Sequence, residues 1–497
     1  MNKTDDLFRL IKSMSRTEKG YFKKFVQGFS SGKENNYVLL FDLIDKAEAA
    51  DDKAISKAFA AQTKKKVNLR ALRPYLFQLL LKSLRLYYEK DNYRFDATNR
   101  VNEVEILLDK GLDDLAYRRS AESVQHCAKY ELNELKLLFL SYEHYAFGQI
   151  PWEEIPLVRE KAYNHLKHTI RQLEYNTDIR HIELKLTYLF NTYFPTTDPA
   201  RNEEVESLMT HNCLKDISKL TALDAVLGFH NVWRSYYSYK GELQKSYEHA
   251  HAIVQKIEDR DAINKTFVGR YVRALASEAK LATDLNRPEE TLAVLAKMKK
   301  KVPVESPGDE HWLELTWMVS QIHFLKTFPT YLPDTKKLAD RALVVINRPE
   351  GFYEGYKLLL TFDLAVIYFH LGDCNKALDL LSVIINRKPE GSRIMYVHAR
   401  LLQIVIHYDL GNKLLLPSLM KSTFRFMAKA DVQFEFERII LKFFTRVLRP
   451  SNHVVLSEEL AWMKAEFEKA STNEYEKAPL KVFNYVNWLT AKSVAKK

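Results

Sequence analysis

Apolar side chains recur at helical spacing along most of this chain. Leu132, Leu135, Leu138, Phe139, Tyr142 and Tyr145 follow that rhythm, as do Ile182, Leu184, Leu186, Leu189, Phe190 and Tyr193. Steps of three and four gather such residues on one face of a helix. No window alternates apolar and polar residues with β-branched enrichment, so the pattern predicts no strand.

The periodic segments come in pairs joined by short turns. One pair runs through Val232, Trp233, Tyr236 and Tyr237, turns at Gly241, and resumes at Ser246, Ala250 and Ile253. Another covers 274–279, turns at Asn286-Arg287-Pro288, and resumes at Thr291, Leu292 and Leu295. A third covers 401–408, turns at Gly411-Asn412, and continues over 414–427, while a less regular unit pairs 312–325 with 334–346 across a turn at 328–333. A further pair, broken at Gly372-Asp373, occupies 364–389. Its Ala365 and Ala377 are small where two helices cross closely, Tyr368 fills the gap between them, and Pro389 ends the second helix. The turns at 241, 286, 372 and 411 lie 45, 86 and 39 residues apart, and the middle gap leaves room for the irregular unit.

Composition agrees with helices throughout. Gly and Pro together make 29 of 497 residues, about half the ordinary share. Tyr and Phe number 27 each, which suits interlocking hairpins with aromatic wedges between them.

Leu364, Ala365, Tyr368, Gly372, Ala377, Leu381 and Pro389 together resemble one tetratricopeptide repeat. By that resemblance 220–430 is a divergent array of such repeats, and 100–220 continues it through a hairpin turn at Gly111. The opening segment, with Leu10, Ser13, Ser15, Glu18, Phe22 and Phe25, is similar to that of bacterial helical proteins carrying such repeats. The implied fold is all-α: a right-handed α-solenoid of TPR-like helical hairpins with a small N-terminal helical unit. In a solenoid each repeat packs only on its neighbours, so the core lengthens without thickening. Three regions are expected: a basic N-terminal unit at 1–95, a long-helix region at 96–220, and the repeats at 221–490.

Charge sets the first region apart. Residues 1–100 hold 21 Lys and Arg against 12 Asp and Glu, whereas the rest holds 54 against 52. Between 53 and 88 there are nine basic residues and no acidic one. Short helices are expected here: one after Thr4-Asp5-Asp6, one opened by a Ser15/Glu18 capping box, one over 37–50, one from Asp51-Asp52, and one from about Pro74 to Tyr88. Two readings remain open for the charge. Lys57, Lys64, Lys65, Lys66, Arg70 and Arg73 flank nucleic-acid phosphates, or they form a solvated face or a dock for an acidic partner. No recognition helix, zinc finger or RNA-binding sheet supports the first.

Catalytic chemistry has no sequence signature. There is no phosphate-cradling loop, nucleophile elbow or His-Glu-x-x-His pair. His165 with His168, and His249 with His251, lack an obvious third ligand, so no metal and no cofactor is expected. Cys127, Cys213 and Cys374 are too few and too scattered for a disulfide framework. With no export signal and no membrane-length apolar run, the expectation is a cytoplasmic chain that inserts in no membrane.

In tetratricopeptide arrays the first helix of each hairpin lines the concave face. The resemblance therefore implies a protein- or peptide-binding groove formed by Phe362, Phe369, Leu401 and Tyr408, with Leu359, Val366, His398 and Val405 beside them and Arg273 and Lys280 as a basic flank; the alternative, favoured for Leu359 and Val366, is burial between repeats. The Lys/Asn/Arg clamp that some members close on a C-terminal carboxylate is not reproduced. The expected function is a non-catalytic scaffold or adaptor, with a nucleic-acid-associated regulator as the alternative.

Overall fold

The computed structural model describes residues 3–27, 36–63, 69–89, 92–142, 153–193, 199–259, 268–300, 307–328, 331, 334–346, 354–387, 394–430, 435–448, 456–470, 482, 483, 485 and 488. Among them are 22 α-helices and no strand. Two compact units divide the chain, one of residues 1–173 with 305–307, the other of 174–304 with 308–497. The boundary falls within the segment 96–220.

The first unit contains α1 (Lys3–Ser13), α2 (Arg16–Gln27), α3 (Asn36–Lys46), α4 (Asp52–Gln62), α5 (Leu69–Tyr88), α6 (Tyr93–Asp109), α7 (Asp113–Lys129), α8 (Asn133–Tyr142) and the start of α9 (Ile155–Tyr193). The capping box forms as the spacing predicts. Ser15 N–H donates to Glu18 Oε2 at 2.5 Å, and Glu18 N–H donates to Ser15 Oγ at 3.3 Å. Asp51 caps α4 by accepting from Lys53 and Ala54 N–H. Phe22, Phe41, Phe59, Leu76 and Leu80 form the core beneath these helices. Helix α5 begins at Leu69, earlier than the expected start near Pro74. Proline interrupts the hydrogen-bond ladder, and α5 carries it within its second turn.

The second unit continues with α10 (Pro199–Met209), α11 (Leu223–Tyr239), α12 (Leu243–Glu258), α13 (Val268–Asp284), α14 (Pro288–Lys300), α15 (Pro307–Thr327), α16 (Thr335–Ile346) and α17 (Glu354–His370). It ends with α18 (Cys374–Ile385), α19 (Ile394–Asp409), α20 (Leu416–Ala430), α21 (Glu435–Val447) and α22 (Leu456–Ala470). One apolar core joins α11 through α22. Helices adjacent in sequence pack on each other, as α11 does with α12, α13 with α14, and α17 with α18.

Among the described residues the same turn closes six helix pairs. Gly111, Gly241, Gly372 and Gly411 all have positive φ, and Asn286 (φ 61°) and Glu131 (φ 57°) take the equivalent place. In each, the N–H of the following residue reaches back five positions, as in Asp373 to Tyr368 C=O and Arg287 to Ala282 C=O, both at 2.9 Å. This bond satisfies a helix-end carbonyl and requires a left-handed residue, which glycine and asparagine supply most readily. Five residues beyond the turn, Ala116, Ser246, Thr291 and Ala377 are all buried. Small side chains there let the returning helix approach its partner. Pro389, expected to end the second helix of its hairpin, lies outside the described residues; α18 ends at Ile385.

Candidate functional site

Residues of α9, α11, α12, α13, α15 and α17 meet around one cavity of about 640 Å³ within the second unit. Helix α9 contributes Arg180, Glu183 and Thr187. Helix α11 contributes Asp224, Leu227, Gly228, Asn231 and Arg234, and α13 adds Arg270, Arg273, Ala274, Ala276, Ser277 and Lys280. Thr316, Val319, Ser320 and His323 come from α15 and Leu359 from α17, while Ile253 and Ile257 of α12 complete the wall. The lateral approach of α9 to α11 is close: a Cβ on Gly228 would lie 2.6 Å from Ile179 Cγ2.

The lining is basic. Five cations (Arg180, Arg234, Arg270, Arg273 and Lys280) face two carboxylates, Glu183 and Asp224. Asp224 is shared, because Arg270 pairs with it and Arg180 reaches it at 3.3 Å. Asn231 donates to Glu183, and Arg234 Nε donates to Asn231 Oδ1 at 2.8 Å. Arg273 is exposed and makes no hydrogen bond or ion pair among the described residues.

At the opposite end a chain of ionisable groups leads from the cavity into the core. Lys280 Nζ lies 2.6 Å from Asp284 Oδ2, and His323 Nε2 lies 3.1 Å from Asp284 Oδ1. The other ring nitrogen of His323 is 3.6 Å from Asp363, which accepts from Lys326 Nζ at 2.8 Å. Burial pushes the Asp363 carboxyl up, but Lys326 and His323 outweigh it and hold the group below the usual carboxylate range. Asp284 is depressed in the same way, with Lys280 and His323 outweighing burial.

His398 lies deeper, on α19, fully buried with the Phe362 and Phe436 rings 6.4 and 5.7 Å away. Neither ring nitrogen has a hydrogen-bond partner among the described residues. Burial, with a smaller effect of Lys326, pulls its pKa down to about 3. The unfolded value is about 6.5, so between these limits the unfolded chain takes up a proton that the folded one refuses. Stability from this source is therefore lost as pH falls from about 6.5 towards 3. His398→Phe is expected to flatten the acid-side slope by about 1.4 kcal/mol per pH unit. Urea unfolding at pH 7 and pH 5 measures this, and an unchanged slope would exclude His398 as the source.

The structure separates the residues of the expected groove. Arg273 and Lys280 line the cavity, and so does Leu359. Phe362, Phe369 and Leu401 do not line an open face: all three are buried, as are Val366, His398 and Val405. Tyr408 is half-buried against Phe444 and Trp488, with ring centroids 5.4 and 6.0 Å apart. The cause is visible along α17, where every residue from 360 to 369 is buried. Most residues of this stretch are apolar, and its two polar ones, Thr361 and Asp363, are buried with them, so it has no free face to offer. That signal was present in the sequence, where the segment lacks a polar stripe. The spacing of Arg270, Arg273, Ser277 and Lys280 would likewise have marked the polar face of α13.

In the first unit the basic residues are dispersed in role. Lys57 is exposed on α4, but Arg73 pairs with Asp52 at 2.7 Å. Lys19 and Lys23 are tied to Asp45 and Asp42 on α3, each at 2.6 Å. Lys64, Lys65 and Lys66 lie outside the described residues, as does the side chain of Arg70. Among the described residues no cluster of three His, Cys, Asp or Glu groups forms a metal site, and no helix is long and apolar enough to cross a membrane. His249, set aside as a ligand from sequence, faces His230, with Nδ1 atoms 2.9 Å apart, and His251 faces the buried Glu278 at 2.5 Å. No protein-family model, curated protein or solved structure matches this chain.

Proposed function

We propose that this chain is a non-catalytic cytoplasmic scaffold, a divergent TPR-like α-solenoid that binds a protein or peptide partner on the inner surface of its second unit. One observation carries the reading: alternate helices α9, α11, α13, α15 and α17 contribute to a single cavity. Its walls combine apolar groups with a few charged ones, the usual constitution of a recognition site. The cavity replaces the aromatic groove that the resemblance implied.

Capture of the tagged full-length chain from its own lysate, with and without nuclease, tests the reading when run beside a Ser277→Trp variant that fills the cavity. A partner protein that survives nuclease and is lost from the variant is the expected result. Capture unaffected by Ser277→Trp would overturn the cavity as the binding surface. The alternative, a nucleic-acid-associated regulator acting through the N-terminal unit, draws on exposed Lys57 but has less support, since Arg73 is engaged by Asp52. Recovery of nucleic acid alone, lost as salt rises, would favour it.

A further inference from the structure

The binding surface proposed above has a definite charge and spacing, and both point to the chemistry of its occupant. Arg270, Arg273, Ser277 and Lys280 stand at successive steps of three, four and three along α13, so they form one stripe facing the cavity. Ten residues of helix rise about 15 Å, which an extended chain covers in about four to five residues. Cations outnumber carboxylates along the lining five to two. The ends of the stripe are already engaged, Arg270 by Asp224 and Lys280 by Asp284. Between them Arg273 stands with no partner among the described residues.

We infer that the cavity takes an extended acidic peptide, an internal stretch of a partner protein whose Asp or Glu side chains meet this stripe, with one carboxylate on Arg273. This rests on the scaffold reading and adds the ligand class to it. A guanidinium offers two parallel N–H donors that match a carboxylate. Leu227, Ile253, Val319 and Leu359 give the apolar wall against which the intervening side chains pack. Single-stranded nucleic acid fits less well. Its recognition uses aromatic platforms on which bases stack, and the lining contains no Phe, Tyr or Trp. Nothing in the stripe is built around a chain terminus, so blocked and free C-termini serve equally.

The experiment is fluorescence anisotropy on the full chain with an eight-residue, end-blocked peptide alternating Glu and Leu. The same peptide with Gln for Glu, a free-carboxylate version, and a short oligothymidylate complete the set. The Glu peptide is expected to bind more tightly than the Gln peptide by at least about tenfold, in keeping with a charge-assisted hydrogen bond. Arg273→Glu should remove that preference while helicity by circular dichroism stays unchanged, since Arg273 is exposed and makes no bond among the described residues. Arg273→Lys should fall between the two, and a Lys-for-Glu peptide should bind the Arg273→Glu chain better than the parent. Equal binding of the Gln peptide, or Glu-peptide binding indifferent to Arg273→Glu, would overturn the inference. So would binding that requires the free C-terminus, or oligothymidylate binding more tightly than the Glu peptide and lost in Arg273→Glu. If Ser277→Trp abolishes partner capture while the Glu peptide shows no preference, the scaffold reading stands and only the acidic ligand falls.

Discussion

Replacing Asp363 by alanine is expected to destabilise the second unit by about 3–5 kcal/mol, the usual cost of removing one partner from a buried ion pair. Asp363 is almost wholly inaccessible at 1 % exposure, and Lys326 at 8 % is little more open. Without the carboxylate, the Lys326 ammonium stays inside an apolar core with its charge uncompensated. His323 also loses the acid 3.6 Å from its Nδ1. Chemical denaturation monitored by circular dichroism measures the loss. The double replacement Asp363→Leu with Lys326→Met removes both charges and should recover most of it, because the desolvation penalty disappears along with the attraction. If the double variant is as unstable as Asp363→Ala, the ion pair is not the origin of the effect.

The pH dependence of the same group has a definite sign. Asp363 titrates below its unfolded value of about 3.9, since Lys326 and His323 outweigh burial. Its contribution is complete above that unfolded value and disappears as pH falls through the depressed folded one. The His398 contribution is lost earlier in an acid titration, from about 6.5 downward as pH falls, because it is a base whose folded pKa is lowered. Acid unfolding should therefore begin with the histidine and deepen with the carboxylates.

Tyr368→Ala should cost about 3–5 kcal/mol, comparable to other large-to-small changes in a packed core. The ring is fully buried on α17, and its hydroxyl donates to Asp340 Oδ1 of α16 at 2.7 Å. Lys376 Nζ of the returning helix lies 4.9 Å from the ring centroid. One side chain thus joins its own hairpin to the preceding helix. Tyr368→Phe keeps the packing and removes only the hydroxyl, so about 1 kcal/mol is expected. Thermal or urea unfolding of the two variants separates the contributions. Equal losses would mean that the Asp340 bond, and not the ring, dominates.

Much of the fold is legible from short stretches of sequence. The glycines at 111, 241, 372 and 411 identify turns because a left-handed residue is needed where a helix ends and the chain doubles back. Asn286 marks another for the same reason, whereas Glu131 occupies this conformation without any compositional signal. Ser15 and Glu18 announce their helix start because both partners of the capping box lie within four residues. Ala365 and Ala377 declare a close helix crossing, and both are buried.

The candidate site was legible only in part. Arg273 and Lys280, expected as a basic flank, line the cavity, whereas Phe362 and Phe369 are core and Tyr408 is half-buried against it. Phe362 on α17 and Leu401 on α19 are both fully buried. The cavity draws on α9, α11, α12, α13, α15 and α17, separated by up to about 180 residues of chain between Arg180 and Leu359.

By itself, the sequence determined helix identity, several helix starts and most hairpin turns, because capping, left-handed turn residues and 3.6-residue periodicity act between neighbours a few positions apart. Only the tertiary structure decided which helix faces stay open, that Asp363 meets Lys326 and His323 inside the core, and that Arg273 stands in a basic cavity without a partner among the described residues. Burial and charge pairing depend on what arrives from distant segments, and no local pattern records that arrival.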